Sequence, residues 1–165
     1  MNDILSIHHT SYISELSDIE ISNRGSLIEI GAHCMVVSFI KIKPAVGDID
    51  IIIGDYCYIN SGNVLYSGNG IIIGNNVAIA SNCAIAPTNH EFSNANSLIM
   101  EQGFSASKND IYIGSNVWIG ANCVILDSAK INDSCVVGAH SQVRGELEEN
   151  DVYAGNPIKL LRKRT

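Results

Sequence analysis

The sequence predicts an all-β fold in which short parallel strands wind into a three-sided coil, a parallel β-helix of six-residue repeats. Three observations favour this fold: an aliphatic residue at every sixth position, glycine or asparagine at fixed places between them, and a composition rich in isoleucine. Hydrophobic residues make up 46% of the chain, but aromatic residues only 6%. Because β-branched side chains fit the half-buried surface of a strand, this composition favours strands over helices.

The repeat is clearest in the second half of the chain. Stepping by six from Ile113 meets only aliphatic residues, namely Ile113, Ile119, Ile125, Ile131, Val137 and Val143. Shorter runs precede it, namely Ile30, Val36 and Ile42, then Ile53, Ile59 and Leu65, then Ile73, Ile79 and Ile85. Three hexads complete one coil, so Ile113 should stack on Ile131 and each coil should bury the core of its neighbour.

The predicted organisation is one domain over residues 1–165. We expect coils over residues 30–148, an irregular amino-terminal segment over 1–29 and a carboxy-terminal segment over 149–165 that closes the open end of the coil.

Corner residues recur at fixed positions of the hexad. Glycine often follows the aliphatic residue, as at Gly31, Gly54, Gly74, Gly114, Gly120 and Gly138. Asparagine occupies the fourth position at Asn76, Asn82, Asn116 and Asn122. Since both residues tolerate a positive φ, we expect both at the corners of the coil.

The five cysteines all fall at the fifth position of a hexad, at Cys34, Cys57, Cys83, Cys123 and Cys135. A metal site needs ligands that converge, and an odd number of cysteines does not suggest a disulfide framework. We therefore expect small, reduced side chains packed against the core.

One long interruption separates the two halves of the repeat. From about residue 91 to 110 the chain reads EFSNANSLIMEQGFSASKND, and His90 stands at its root. Long excursions in compact domains are usually functional or disordered. This one is too apolar for a purely solvated loop, so it should pack on something such as a neighbouring subunit.

Charge and terminal sequence narrow the possible partners. The net charge of −7 argues against nucleic acid, which requires a basic face. The amino end lacks the pattern of a secretory signal, and no apolar run approaches the roughly 18 residues of a membrane span. The expectation is a cytoplasmic protein without a membrane span.

The segment NDIYIGSNVWIGANCVIL (109–126) resembles the hexapeptide-repeat acyltransferases. It is preceded by TNHEF and MEQGF and followed by VVGAHSQV and YAGNP, so the likeness covers about residues 50–162. The sequence is most similar to the branch that contains galactoside and maltose acetyltransferases and bacterial polysaccharide O-acetyltransferases.

This resemblance implies a left-handed β-helix, a homotrimer with active sites between subunits, and acetyl-CoA bound in the cleft between them. It implies direct transfer of the acetyl group, without an acyl-enzyme, and His90 matches the histidine that acts as general base. Neutral histidine suits that role because its pKa lies near working pH. The histidines at His8, His9, His33 and His140 lack such a context.

Further contacts are expected for the co-substrate and the acceptor. Trp118 is expected to line the pantetheine cleft or to pack between subunits. The resemblance implies cofactor contacts at Gly120, Ala121, Ala139 and Ser141. Lys159 and Arg162 are expected to meet the phosphates of coenzyme A or to belong to a solvated tail. Gln102 is expected to shape the acceptor pocket.

The chain departs from its relatives just after the last full hexad. Where they often carry Thr-Lys in contact with the cofactor, this sequence has Arg144 and Gly145. The family's carboxy-terminal pattern is otherwise kept as GNPIKLLR.

The predicted function is transfer of an acetyl group from acetyl-CoA to a hydroxyl of a sugar or surface polysaccharide, without a metal. Alternatives are a sugar N-acetyltransferase, a drug-inactivating acetyltransferase and a non-catalytic β-helix scaffold. A γ-type carbonic anhydrase is disfavoured, because its zinc needs three histidines, two of them five residues apart, and no pair here has that spacing.

Overall fold

The computed structural model describes residues 4–22, 25–44, 50–86, 88–105 and 109–165. Residues 106–108, at the end of the predicted excursion, lie outside the described residues.

The described residues form seven coils of short strands, with one short helix in the excursion. The first three coils contain β1 (Leu5–Ile7), β2 (Tyr12–Ile13), β3 (Asp18–Ile19), β4 (Ile28–Ile30), β5 (Met35–Val36), β6 (Lys41–Pro44), β7 (Ile51–Ile53), β8 (Tyr58–Ile59) and β9 (Val64–Ser67). The fourth coil and the excursion contain β10 (Ile71–Ile73), β11 (Ala78–Ile79), β12 (Ala84–Ala86) and α1 (Ile99–Gln102). The remaining coils contain β13 (Ile111–Ile113), β14 (Trp118–Ile119), β15 (Val124–Leu126), β16 (Lys130–Ile131), β17 (Val136–Val137), β18 (Gln142–Val143), β19 (Glu146–Leu147), β20 (Asp151–Ala154) and β21 (Lys159–Lys163).

Every third strand joins the same sheet, so the described strands form three sheets, one on each side of the coil. Sheet A runs β1-β4-β7-β10-β13-β16-β19, sheet B runs β2-β5-β8-β11-β14-β17-β20-β21, and sheet C runs β3-β6-β9-β12-β15-β18. All pairings are parallel except that of β20 with β21, which is antiparallel. The predicted fold class, a left-handed parallel β-helix, is confirmed.

The core is a set of aliphatic columns inside the coil. The predicted stacking is confirmed, since Ile113 pairs with Ile131 and Ile119 pairs with Val137. Both members of each pair are at most 1% exposed. Burial of one such side chain contributes about 1.5–3 kcal/mol, and stacking repeats this contribution in every coil.

The corners confirm the role of asparagine and correct the role of glycine. All four predicted asparagines have positive φ, with Asn116 at 58°. The six predicted glycines do not have positive φ; they are needed because the next coil comes too close for a side chain. A Cβ on Gly54 would lie 2.8 Å from the carbonyl carbon of Gly74. The periodic glycine therefore reflects inter-coil distance rather than backbone torsion.

The amino-terminal segment is not irregular, contrary to the prediction. Strands β1, β2 and β3 make a complete first coil that pairs in register with the second. Its inward residues Ile7, Ile13 and Ile19 follow the six-residue step. The pattern is hard to see because Ser11 and Ser17 stand at the fifth position of the hexad, where later coils have cysteine, and Ser14 stands at the second, where they often have glycine. The hydroxyl of Ser11, for example, donates to the Gly31 carbonyl at 2.6 Å and accepts from the Cys34 amide at 2.8 Å.

The cysteines are buried free thiols, as predicted. Each donates a weak hydrogen bond to a carbonyl of the next coil, as Cys123 Sγ does to Gly138 O at 3.2 Å. Burial raises the pKa of the Cys135 thiol, so the neutral form is favoured. Through these hydrogen bonds the five thiols join neighbouring coils.

The carboxy-terminal residues extend sheet B by one antiparallel strand. Strand β21 turns back along β20, and the Arg164 guanidinium donates to the Ser134 carbonyl at 2.6 Å. The turn between the two strands contains a cis Asn156–Pro157 peptide bond.

We expect Ile119→Asp to prevent folding, because it places an unpaired carboxylate in a column that is 0% exposed. The destabilisation should exceed about 4 kcal/mol. Val124→Asp is the matched control, since Val124 lies on the outer face of the same coil and is 37% exposed. Soluble yield and thermal unfolding followed by circular dichroism would test this. Ile119→Asp protein with a normal unfolding transition would contradict the assigned register.

Candidate functional site

The excursion leaves the coil after β12 in sheet C and returns at β13 in sheet A. Its two legs pair as a short antiparallel ribbon, in which the Glu91 amide donates to Gly103 O at 3.0 Å and the Ser105 amide donates to Asn89 O at 2.9 Å. His90 and Phe104 form the bridge between these two bonds. The root of the excursion is therefore ordered by backbone pairing.

Gln102 holds the tip of the excursion. Its side-chain oxygen accepts from the Asn94 amide at 3.0 Å, and its side-chain nitrogen donates to the carbonyls of Asn94 and Ser97 at 3.0 and 3.1 Å. The amide group of this residue, which is predicted to shape the acceptor pocket, is thus engaged within the loop. This arrangement favours a positioning role for Gln102.

His90 is exposed at the root of the excursion, and its ring packs 4.7 Å from the ring of Phe104, centroid to centroid. The excursion also carries exposed apolar side chains, namely Phe92, Leu98, Ile99, Met100 and Phe104. None of the residues of α1 is buried. The packing of these side chains on a neighbouring subunit stays a prediction.

Two clefts lie on the sheet C side of the coil. The first, here called the excursion cleft, has a volume of about 440 Å³ and is lined by Asn89, Phe92, Ser105, Asp127, Ser128, Arg144 and Gly145. The second, here called the terminal cleft, has a volume of about 550 Å³ and is lined by Gln142, Arg144, Pro157 and Ile158. The walls of the excursion cleft carry an aromatic ring, two hydroxyls and an amide, groups that suit a hydroxylated ligand.

At the edge between sheets A and B, one backbone amide of each middle coil is occupied by a side chain. The amide after each sheet A strand donates to a side-chain oxygen one coil further on. The pairs are Ala32 with Asp55, Asp55 with Asn75, Asn75 with Ser115, and Ser115 with Asp133.

At the edge between sheets B and C, here called the B–C edge, two backbone amides are not occupied by side chains of the described residues. Ala139 stacks over Ala121, since the His140 amide donates to the Ala121 carbonyl. The methyl side chain of Ala139 has no oxygen atom that could accept a hydrogen bond from the Ala121 amide. Among the described residues, no acceptor is found for the N–H of Ala121 or of Ala139. Successive coils therefore present open backbone donors at this edge.

The structure separates the predicted cofactor residues into exposed and occupied groups. Ala121 and Ala139 lie on the B–C edge, and Trp118 lies on sheet B with 55% of its surface exposed. By contrast, the Gly120 amide donates to Val137 O at 2.7 Å and is part of the sheet. The Ser141 hydroxyl donates to Gly138 O at 2.6 Å and accepts from the Gly155 amide at 2.9 Å. Gly120 and Ser141 thus shape the edge without free polar groups.

The basic carboxy-terminal residues lie on β21, where every residue is exposed. Lys163 pairs with Asp151 at 3.5 Å, while Lys159 and Arg162 are the two predicted phosphate contacts. The Arg162 guanidinium donates to the adjacent Lys163 carbonyl at 3.2 Å.

Sequence reasoning missed the residues that line the two clefts. Asn89, Ser105, Asp127 and Arg144 are far apart in sequence and meet only when the excursion folds against the coil. The one available signal was the departure from the family pattern at Arg144 and Gly145.

No group of three histidine, cysteine or acidic side chains within the described ranges could hold a metal ion. The part of the chain covered by the structure also contains no helix with the length and apolar character needed to cross a membrane.

The repeat and the fold both match known acyltransferases. The family model for bacterial transferase hexapeptide (six repeats) matches residues 110–145. A comparison with curated proteins finds no match. AntD, an N-acyltransferase from Bacillus cereus solved with dTDP and 3-hydroxybutyryl-CoA, is 26% identical over 98% of this chain and 84% of that chain, with a TM-score of 0.81.

Two further solved structures share the fold. A maltose O-acetyltransferase from Clostridium difficile 630 is 23% identical over 98% of this chain and 71% of that chain, with a TM-score of 0.63. A hexapeptide-repeat acetyltransferase from Vibrio cholerae in complex with acetyl-CoA is 20% identical over 98% of this chain and 71% of that chain, with a TM-score of 0.61.

These comparisons confirm the resemblance to hexapeptide-repeat acyltransferases and the predicted enzyme class, an acyltransferase. The 3-hydroxybutyryl-CoA in the AntD structure agrees with the prediction of an acyl-CoA co-substrate.

We expect Gln102→Ala to loosen the excursion without unfolding the coil, since it removes three hydrogen bonds from an exposed loop. At about 0.5–1.5 kcal/mol each in net terms, their loss should raise proteolytic cleavage in the excursion by about tenfold or more. Limited proteolysis with mass spectrometry would measure the rate. Glu101→Ala, on the same helix, is the control. Equal cleavage of the wild-type and Gln102→Ala proteins would contradict the assigned role.

Proposed function

We propose that this protein transfers an acetyl group from acetyl-CoA to a hydroxyl of a sugar acceptor, with His90 as general base. The observation that carries the proposal is an exposed imidazole at the root of an ordered excursion, on the same side of the coil as a cleft with polar walls. The acyltransferase fold supplies the reaction class.

The proposed reaction is a direct displacement at the thioester carbonyl. The His90 imidazole takes the proton of the acceptor hydroxyl while its oxygen attacks the carbonyl carbon. The tetrahedral intermediate then collapses, the carbon–sulfur bond breaks, and the coenzyme A thiolate takes the proton from the imidazolium. Such a base contributes about 10²–10⁴-fold to the rate.

Acetyl-CoA is proposed to lie along the B–C edge. The open N–H groups of Ala121 and Ala139 can donate to carbonyl oxygens of the pantetheine arm or to the oxyanion, as preorganised backbone amides do in other acyl transfers. Gly120 supports this edge sterically, because a Cβ there would lie 2.5 Å from the Ala139 nitrogen. Trp118 is then available to cover the arm from sheet B, and Lys159 and Arg162 to meet its phosphates.

A second candidate is N-acylation of a nucleotide-linked amino sugar. The favouring observation is the 25% identity with a variant of AntD solved with dTDP-4-amino-4,6-dideoxyglucose and coenzyme A, over 98% of this chain with a TM-score of 0.79. A drug-inactivating acetyltransferase is a third candidate.

The proposed assembly is a homotrimer with its sites between subunits. The outward column of sheet B is uncharged from β2 to β20 and consists of Tyr12, Met35, Tyr58, Ala78, Trp118, Val136 and Val152. Arg162 of β21 pairs with Val152 at its end. On sheet A the same column includes Glu29, Lys130 and Glu146. An apolar face of this kind favours contact with another subunit, and the site at its edge would then lie between chains.

We expect His90→Ala to reduce kcat by about 10²-fold or more, with little change in KM for acetyl-CoA, because only proton transfer is lost. Thiol release from acetyl-CoA would be measured with galactosides, maltose, amino sugars and dTDP-linked sugars. His9→Ala, which removes an exposed histidine from the first coil, is the control.

Near-normal turnover of the His90→Ala variant would exclude His90 as the base. Release only with amino sugars would favour the second candidate, and release with no acceptor in the panel would argue against a sugar-directed enzyme.

We expect Tyr58→Lys to dissociate the trimer, because it places a charge in the uncharged column of sheet B, where Tyr58 is 42% exposed. Tyr112→Lys is the matched control, since Tyr112 lies on sheet A beside Lys130 and is 38% exposed. Light scattering after size-exclusion chromatography would measure the mass. Retention of a trimer by Tyr58→Lys, or its loss in Tyr112→Lys alone, would assign the interface to another face.

A further inference from the structure

Arg144 is the residue that the two clefts share. It follows β18 and lines both the excursion cleft, of about 440 Å³, and the terminal cleft, of about 550 Å³. A ligand that occupied both clefts would therefore pass this guanidinium.

Most basic side chains of the described chain are already engaged. Ion pairs with carboxylates hold Lys41, Lys43, Lys130 and Lys163. Main-chain carbonyls accept from Arg162 and Arg164. Among the described residues, Arg144 has neither an ion pair nor a hydrogen-bond acceptor for its guanidinium, although the chain carries a net charge of −7. In such an acidic protein, an unpaired arginine between two clefts is available for an external anion.

We propose that Arg144 binds a phosphate or diphosphate group carried by one of the two substrates; this rests on the proposed acyltransferase function. The planar guanidinium donates two parallel hydrogen bonds to phosphate oxygens, which a lysine does not match. Asp127 lines the excursion cleft, whereas no acidic side chain lines the terminal cleft. The anion therefore belongs on the terminal side of Arg144, beside Pro157 and Ile158.

The same division assigns the excursion cleft to the uncharged part of the ligand. Phe92 offers a ring face, while Ser105 and Ser128 offer hydroxyls to a polar group. A nucleotide-linked sugar joins a diphosphate to such a part, and coenzyme A, whose pantetheine arm is proposed to lie along the B–C edge, carries phosphate groups as well. The shared chemistry is the phosphate, and the test separates the two sources.

The test is calorimetric binding of four probes to the purified full-length protein: coenzyme A, pantetheine, dTDP and inorganic phosphate. Arg144→Ala should weaken binding of one diphosphate-bearing probe by about tenfold or more, the size of a lost charge-assisted contact. Pantetheine, which has no phosphate, should bind equally to both proteins. Arg144→Gln is a second variant of similar length, and thermal unfolding checks that both fold.

Lys43→Ala is the matched control, because it removes one positive charge from β6, far along the coil from β18. A selective loss for coenzyme A assigns the phosphate to the acyl donor, and a selective loss for dTDP assigns it to the acceptor. Unchanged affinity for both in the two Arg144 variants, or an equal loss in Lys43→Ala, would overturn the inference. If the wild-type protein bound none of the probes and released no thiol, the proposed function itself would fail.

Discussion

The register between successive coils is the constraint on which the rest of the structure depends. A coil of two- or three-residue strands cannot bury its own inner side chains, so each column, such as Ile113 on Ile131, is completed only by the coil above or below. The backbone ladder requires the same stacking distance, which leaves no room for a Cβ at Gly54. Core, ladder and glycine positions are therefore three consequences of one repeat.

The same stacking decides where the backbone is open to a ligand. At the edge between sheets A and B, an oxygen-bearing side chain of each successive coil accepts from the amide below, as Asp133 does from Ser115 at 2.7 Å. At the B–C edge, Ala139 stands over Ala121 and cannot accept. Whether the side chain of the next coil is an aspartate or an alanine thus decides whether the backbone amide is occupied, as at Ser115, or available to a ligand, as at Ala121.

The interruptions of the repeat supply side chains to both clefts. The excursion brings His90 and Phe92 to the sheet C side, and the turn before β21 brings Pro157 and Ile158 to the same side. Arg144 lies between these two additions. The regular coil therefore provides a rigid support, and the proposed chemistry depends on two departures from it that come together on one side.

By itself, the sequence determined the β-helix, the buried thiols and the position of the excursion, because a six-residue period is a local property that each coil repeats. Local patterns misled in the first coil, where serines stand at hexad positions that later coils fill with cysteine or glycine. Only the tertiary structure decided which groups are free. The engagement of Gln102 and Ser141, the open amides of the B–C edge and the clefts around Arg144 all depend on contacts between residues distant in sequence. A period predicts how coils stack, but it does not specify which side chains meet across an interruption.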